Sequence, residues 1–378
     1  MTVFVVLFWL SLFIVFYTYA GYPLLLLICR RYQLLNCDTR PHQFSVSVVI
    51  AARNEESAIV RRIADILDQN YPDNLLEIIV VSDGSLDRTE TLVENFSARS
   101  VHLVRIEQSV GKAAALNYAV EQAQGDVLLF TDARQRFAPG AISALLRNFY
   151  DDSVGCVSGE LIFTVDNVSD IQVEMGSYWR YEKWIRRLES TTGSVVGATG
   201  AIYAMRKYLY RPLPSGTILD DVLTPLKVVQ QGYRCIFEGC AVAYDSVSRD
   251  VKQEWCRKVR TLAGNWQLLS LYPGILSWTR NPVWWRFISH KFLRLVVPFV
   301  LIIFFVSSMI LAGAFYHFCA IIQSFFYTVA GIGLIIPSVR KYRLVGLSYF
   351  FCVMNAAAVC GFWVWVTGRA ANAWRPVS

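Results

Sequence analysis

Residues 3–28 carry no charged side chain and are almost wholly apolar, which commits this part of the chain to a lipid bilayer before any other feature is weighed. A helix of about 20 residues spans a hydrocarbon core of about 30 Å, and inside it every backbone N–H and C=O must be satisfied within the segment. Arg30 and Arg31 follow at once and place the next residues on the cytoplasmic side. The run exceeds the apolar core of a signal peptide and has no basic residues ahead of it, so a retained span is expected. Residues 295–338 form an apolar stretch about twice the length of one span, which reads as two helices joined by a tight turn. Arg340, Lys341 and Arg343 then return to the cytoplasm, and residues 344–366 make a last apolar segment. Four complete crossings would put Arg369 and Arg375 outside, against the positive-inside tendency; the last segment is then re-entrant or the tail is an exception.

The hydrophobic share of 54% agrees with membrane insertion, since soluble globules sit at roughly 45–50%. The formal charge of +7 does not point to nucleic acid, because the basic residues collect beside apolar spans, where Lys and Arg face anionic lipid. Nine scattered cysteines with no C-x-x-C pair argue against a disulfide framework and a zinc knuckle, and fit buried thiols in a reducing compartment.

From about 45 to 270 the pattern changes to short β-branched runs alternating with amphipathic stretches. Strands are expected at 47–51, 77–82, 101–106 and 126–131, each followed by a helical segment, beginning near Asn54, Leu86, Gly111 and Pro139. Four β-then-α units predict an α/β domain with a mostly parallel sheet covered on both faces, whose ligands bind at the carboxyl ends of the strands. The domains expected are therefore an N-terminal transmembrane helix at 1–30, a cytoplasmic domain at 45–270, an interfacial segment at 275–294 and transmembrane helices at 295–368. The interfacial segment mixes Trp278, Trp284 and Trp285 with Arg280, Arg286, His290, Lys291 and Arg294, which suits the headgroup zone. A helix over 171–188, with Trp179, Tyr181 and Trp184 among basic residues, suits the same zone or a sugar ring.

Several strand ends carry acids. Ala51-Ala52-Arg53-Asn54-Glu55-Glu56 closes the first strand and opens a helix whose first amides can receive a polar group, though a helix cap accounts for it as well. Asp83, entering a turn with Gly84, can accept hydrogen bonds from a base or ribose, or make an Asx turn. In Thr131-Asp132-Ala133-Arg134, an acid just past a buried strand is placed to hold a hard divalent cation against a diphosphate, or to cap a turn. Asp220 and Asp221 head a segment with Leu223, Leu226 and Val229 on one face. Adjacent carboxylates repel, so one of them can carry a raised pKa and serve as a general base. Arg257 and Arg260 are three apart in a helical stretch and share a face, which lets both reach one diphosphate or leaves both solvated.

Other chemistries fall away. Gly111-Lys112 is not a phosphate loop, because Ile106 stands where its first glycine belongs and Ala113 where its Ser or Thr belongs. There is no G-x-G-x-x-G after the first strand, no G-x-S-x-G and no H-E-x-x-H.

In this order the segments resemble glycosyltransferase family 2, specifically the membrane-integrated inverting transferases that include cellulose, hyaluronan and poly-N-acetylglucosamine synthases. The resemblance implies a nucleotide-sugar-binding, GT-A-like, mostly parallel sheet with flanking transmembrane helices. It assigns Ala52, Arg53, Glu55 and Asp83 to the nucleotide, Lys112 to a nucleotide contact and Asp132 to the first acid of D-x-D, with Mg2+ or Mn2+ as cofactor. Thr199 and Gly200 fall in the loop lining the acceptor site, Asp221 on the catalytic base with Asp220 beside it, and Arg257 to Thr261 on Q-x-x-R-W, with Arg260 on its Arg. Two departures stand out: Arg134 replaces the second acid of D-x-D, and Arg257 and Thr261 replace the Gln and Trp of Q-x-x-R-W.

What the resemblance implies is inverting transfer of a sugar from a nucleotide-diphosphate donor, a UDP-hexose or UDP-N-acetylhexosamine, to a saccharide acceptor in polysaccharide biosynthesis. Two alternatives stay open: transfer of one sugar to a lipid-linked acceptor, and a non-catalytic subunit that senses nucleotide sugar. The expected partners are the donor, the acceptor, the membrane and polysaccharide export components, without nucleic acid. The expected location is a multi-pass protein of the cell membrane with a cytoplasmic catalytic domain.

Overall fold

All seven residues of the strand Val46–Ala52 are buried, as expected of a Val- and Ile-rich run with neighbours on both edges and helices on both faces. The computed structural model describes residues 1–30, 44–96, 100–164, 170–246 and 251–368. The strands are β1 (Val46–Ala52), β2 (Leu76–Asp83), β3 (Val101–Ile106), β4 (Val127–Asp132), β5 (Arg136–Phe137), β6 (Val154–Thr164), β7 (Tyr203–Arg206) and β8 (Arg234–Ser246). They form one eight-stranded sheet in the order β3-β2-β1-β4-β7-β6-β8-β5. β3, β2, β1 and β4 run parallel; β7 is antiparallel to both β4 and β6, β6 and β8 are parallel, and β5 is antiparallel to β8. The parallel half corresponds to the four strands expected, and the sheet is mixed beyond β4.

The helices are α1 (Thr2–Phe16), α2 (Tyr22–Ile28), α3 (Ile59–Leu67), α4 (Thr89–Glu94), α5 (Lys112–Gln122), α6 (Ala141–Leu146), α7 (Asp170–Thr192), α8 (Asp220–Gln230), α9 (Val251–Leu271), α10 (Trp284–Phe287), α11 (Leu293–Ile310), α12 (Ala314–Ile335) and α13 (Arg343–Val366). Alternate strand residues feed two cores, as the pleat requires. Val49, Ala51, Ile79, Val81, Leu128 and Phe130 pack towards α5 and α8. Val48, Ile50, Ile78, Val80 and Leu129 pack towards α3 and α6.

Helix starts differ from the sequence expectation at two places, while the third lies close to the expected Pro139. α3 begins at Ile59 rather than near Asn54, because Asn54 takes φ +55° and residues 55–58 form a turn. α4 begins at Thr89 rather than near Leu86, behind the loop that Asp87 caps through the Thr89 amide at 3.0 Å. α6 begins at Ala141, after Gly140 at φ +75°.

Four helical stretches are long and apolar enough to cross a membrane: Thr2–Ile28, Trp284–Ile310, Ala314–Ile335 and Arg343–Val366. The first joins α1 to α2 through the π turn Tyr17–Gly21, and the second joins α10 to α11 through the π turn Ile288–Phe292. The aromatic and basic segment after Trp278 thus feeds directly into a span. Outward side chains such as Phe13, Ile302, Phe318, Phe325, Leu334 and Trp363 are mostly exposed, an apolar surface that calls for lipid rather than water. Arg31, Arg369 and Arg375, on which the topological expectation leaned, lie outside the described residues.

A buried polar junction joins these spans to the α/β domain. The Tyr22 hydroxyl donates to Glu189 Oε1 at 2.5 Å, and the His290 ring lies 2.8 Å from Glu189 and 3.0 Å from Glu182. Arg294 pairs with Glu182, and Arg286 donates to the Thr192 and Ser194 carbonyls at 2.6 and 2.9 Å. α7 is thereby held between α2 and α11. On the other side, α9 lies against α13 so closely that a Cβ at Gly361 would sit 2.9 Å from the Ala263 amide nitrogen, and Trp266 stacks on Trp365 at 5.8 Å.

Replacing Tyr22 by Phe removes a donor from a fully buried carboxylate, so Y22F is expected to lose about 1–3 kcal/mol of stability. Thermal unfolding in detergent measures it; an unchanged Tm would mean that this hydrogen bond adds nothing to the junction.

Candidate active site

The parallel register brings the strand ends level. Ala51 lies opposite Asp132, Ala52 opposite Ser82, and Asp83 opposite Ile106, so the acids of β2 and β4 emerge at one edge of the sheet. Asp83 is fully buried and its carboxylate accepts from Ser109 Oγ at 2.9 Å, the Val110 amide at 2.7 Å and the Gly111 amide at 3.0 Å. It therefore clamps the turn ahead of α5. Gly111, at φ +90°, ends that turn and delivers Lys112 as the first residue of the helix.

Lys112 is where the distant acids meet. Its Nζ lies 3.0 Å from Asp132 Oδ1 and 3.3 Å from Asp220 Oδ2. Its own burial works against the ammonium, but Asp132 and Asp220 more than offset that and hold its pKa above the ordinary value. Burial alone would raise the Asp132 carboxyl; Lys112, then Arg134 and Arg260, hold it below the usual carboxylate range. Arg260, half-buried on α9, is thus brought to the site from about 130 positions away.

Arg134, in the second D-x-D position, lies 3.8 Å from Asp132 Oδ2 and donates through Nε to Asp245 Oδ2 at 3.0 Å. Gln135 Nε2 joins the same pair of acids, at 3.1 Å from Asp245 and 3.5 Å from Asp132. Asp245 is buried on β8 and belongs to no motif; only the return of β8 along β6 brings it here, so the sequence offered no signal for it. Among the described residues no three His, Cys, Asp or Glu side chains cluster as a metal cage. Asp132 is one ionised carboxylate, which matches a hard divalent ion only where a diphosphate supplies further oxygens.

α8 presents the paired acids. Asp220 is buried against Lys112, while Asp221 Oδ2 accepts the Gly200 amide at 3.2 Å and the Asp221 carbonyl accepts the Ala198 amide at 2.8 Å. A Cβ at Gly200 would come within 3.3 Å of that carboxylate oxygen, so this position favours the smallest residue. Thr199 is half-buried and its amide donates to Ser158 Oγ at 3.1 Å, which sets the loop against β6. Burial and the neighbouring Asp220 push the Asp221 carboxyl up to about 6, with Lys112 and Lys291 working the other way.

The loop after β1 differs from expectation. The Glu55 amide donates to Thr89 Oγ1 at 2.8 Å and the Glu56 amide to Asp87 Oδ2 at 3.0 Å, so these donors staple two loops together and receive no ligand group. Ala52 is fully buried in the core, backbone included, so the nucleotide contact expected there does not appear. Arg53 is half-buried, with an enclosed Nε that has no partner among the described residues. Glu55 is half-buried near Asp132; burial raises its carboxyl and Arg134 counters this. The expected pairing of Arg257 with Arg260 on one diphosphate does not appear: Arg257 is exposed and lies 3.9 Å from Glu254, one turn earlier on α9. Asp132, Lys112, Asp220, Asp221, Gly200 and Arg260 do converge.

Comparison with known proteins bears on this arrangement. Residues 47–213 match the family model of glycosyl transferase family 2. The chain is 25% identical over 241 residues to a probable glycosyltransferase, YdaM, of Bacillus subtilis, covering 58% of this chain and 55% of that protein. It is 25% identical over 231 residues to the poly-beta-1,6-N-acetyl-D-glucosamine synthase of Staphylococcus aureus, covering 59% and 55%. The matches thus span about half the length of these relatives. Among solved structures, the mannosyltransferase PcManGT of Pyrobaculum calidifontis, in complex with GDP-Man and Mn2+, superposes with a TM-score of 0.73 at 20% identity, covering 96% of this chain and 99% of that one. That likeness establishes the fold, down to the flanking helices. The matched region includes the strands that end in Asp83 and Asp132 and the helix that opens with Lys112, so the chain carries a glycosyl transferase family 2 domain over residues 47–213.

Proposed function

We propose that the protein transfers a sugar from a nucleotide-diphosphate donor to a saccharide acceptor at the membrane, with inversion at the anomeric carbon. The observation that carries this reading is the convergence on Lys112 of Asp132, at the end of β4, with Asp220 and Asp221, at the head of α8. A base and a charge-stabilising group then border one space, as a single displacement requires.

In this mechanism Asp221 takes the proton from the acceptor hydroxyl. Its pKa of about 6 leaves it mostly ionised near neutrality and a better proton acceptor than an ordinary carboxylate. The hydroxyl oxygen attacks the anomeric carbon as the nucleoside diphosphate departs, so an α-linked donor gives a β-linkage. Lys112, Arg134 and Arg260, the cations around Asp132, meet the charge that grows on the diphosphate. The loop that Asp83 clamps forms the nucleotide wall, together with the side chains of Arg53 and Glu55. Asp132 would hold a divalent ion, Mg2+ or Mn2+, jointly with the diphosphate; when bound, such an ion supplies further charge neutralisation on the leaving group. The Mn2+ of PcManGT supports that assignment. Thr199 and Gly200 line the acceptor side beside Asp221.

The S. aureus synthase supports polysaccharide biosynthesis as the setting, and the donor proposed for it is a UDP-hexose or UDP-N-acetylhexosamine. The basic residues that flank the spans support a cytoplasmic face of the cell membrane. Thr261, exposed on α9 at the place of the Trp of Q-x-x-R-W, favours a second reading, the addition of a single sugar to a lipid-linked acceptor.

Asp221→Asn is expected to abolish transfer, by at least about a hundredfold, while UDP binding measured by calorimetry stays within about twofold; normal turnover by D221N would remove the base. For wild type, kcat/KM should fall about tenfold per unit below pH 6, and a flat profile from pH 5 to 8 would count against Asp221. Stability follows the same group with a definite sign. Its carboxyl rises from about 3.9 unfolded to about 6 folded, so the folded state loses stability as pH climbs through that window. D221N should therefore be more stable than wild type at pH 8, by about 1–3 kcal/mol, and the gap should close near pH 4. Asp132→Asn should erase the increase in UDP affinity that Mn2+ brings over chelator; an undiminished increase would place the ion elsewhere.

A further inference from the structure

A second group of cations borders Asp221, apart from those around Asp132. Lys291 lies in the π turn between α10 and α11, and the charges of Arg186, Glu182, Asp221 and Arg294 all reach its ammonium. Arg186 stands on α7, one turn beyond Glu182. Arg186 and Lys291 are half-buried, and among the described residues neither donates a hydrogen bond nor forms an ion pair. Arg294 spends one nitrogen on Glu182, and its Nε and second terminal nitrogen are enclosed without partners. Glu182 is itself shared with His290, 3.0 Å away.

The balance of charge is therefore unfavourable as it stands. Three cations crowd one partly desolvated place, and the acids in reach are Glu182, already engaged twice, and Asp221, which the reaction uses as base. Like charges withdrawn from water are stabilised by an anion between them. Lys291 belongs to a stretch apolar enough to span a bilayer, close to its start at Trp284, and Trp285 and Arg286 precede it. Aromatic and basic side chains of this kind mark the depth at which lipid phosphates lie.

In-line displacement places leaving group and acceptor on opposite sides of the anomeric carbon. The cations around Asp132 serve the leaving diphosphate, which leaves those around Lys291 for the acceptor. We propose that Arg186 and Lys291, backed by Arg294, bind the phosphate of a membrane lipid that carries the acceptor, and so hold its hydroxyl at Asp221. This rests on the assignment of Asp221 as the base, and it specifies the acceptor as an anionic, phosphate-linked lipid. Arg186 and Lys291 are binding and positioning residues here; the proton still goes to Asp221.

The test uses the full chain in phosphatidylcholine nanodiscs, titrated with a long-chain isoprenyl monophosphate and followed by native mass spectrometry, with UDP binding measured separately. Wild type should bind the lipid phosphate. Arg186→Gln and Lys291→Gln should each weaken that binding about tenfold, leave UDP affinity unchanged, and keep or raise Tm, since each removes one of three like charges. Lys291→Arg should restore most of the loss. Absence of binding by wild type, or equal binding by the Gln variants at intact Tm, would overturn the proposal. So would a loss of UDP affinity with lipid binding intact, which would give these cations to the donor. Competition by inorganic phosphate as effective as the lipid would place the ligand in solution and overturn the lipid assignment. Because lipid binding is read without turnover, its failure is distinct from failure of the transfer reaction itself.

Discussion

One ammonium group, Lys112 Nζ, lies between carboxylates delivered by strand β4 and helix α8, and the geometry of the site follows from where that group is held. Asp132, Asp220 and Asp221 could not gather in a partly desolvated place as ionised groups without a cation among them, because desolvation and mutual repulsion both oppose their charge. The position of Lys112 is in turn decided by Asp83, whose carboxylate binds two successive amides of the turn before α5. A buried acid on β2 thus sets the place of a lysine on α5, which sets the distance between an acid on β4 and the acids on α8. Rigid strands carry the first link and helix starts the rest, which keeps the constellation off mobile loops.

The membrane helices complete this arrangement from the far side. Glu182, Glu189, His290, Tyr22 and Arg294 form a buried polar junction whose net contribution to stability is small, since the desolvation of its charges offsets their attraction. Its consequence is orientation, because α7 can dock between α2 and α11 in one register if those polar groups are to find partners. α9 is set in the same way by contact with α13, where Gly361 lets two backbones approach. Through α9 that contact carries Arg260 to Asp132, and through the π turn before α11 the junction carries Lys291 to Asp221. Part of the charge at the site is therefore positioned by segments that read, in sequence, as membrane anchors alone.

The departures from the family pattern have a structural counterpart. Arg134, where a second acid is usual, is held by Asp245 from β8, and Gln135 holds the same oxygen. The replacement is thus accommodated by a dedicated partner rather than left to solvent, and it adds positive charge where a diphosphate would lie. At Thr261 the opposite occurs: the side chain is exposed and bonds back to the Arg257 carbonyl within its own helix, so nothing there offers an aromatic platform.

How much of this could be read beforehand depends on the range of the interaction. Hydropathy and period-two patterning act over neighbouring residues, and they were enough for four parallel strands, four apolar helices and the acids at the strand ends. Helix starts were misplaced at Asn54 and Leu86 because side chains of one loop, Asp87 and Thr89, take the amides of another, which no local pattern reports. Asp245, and the roles proposed for Lys291 and Arg186, were illegible for a stronger reason: each lies in an ordinary strand or helix and meets its charged neighbours only through what packs against it. The linear pattern of the chain is enough to settle which segments are buried in sheet or lipid, and which residue types stand at the carboxyl edge. Which charges meet is settled by the fold, because electrostatic neighbours in a low-dielectric site are chosen by packing across the whole chain and leave no periodic trace along it.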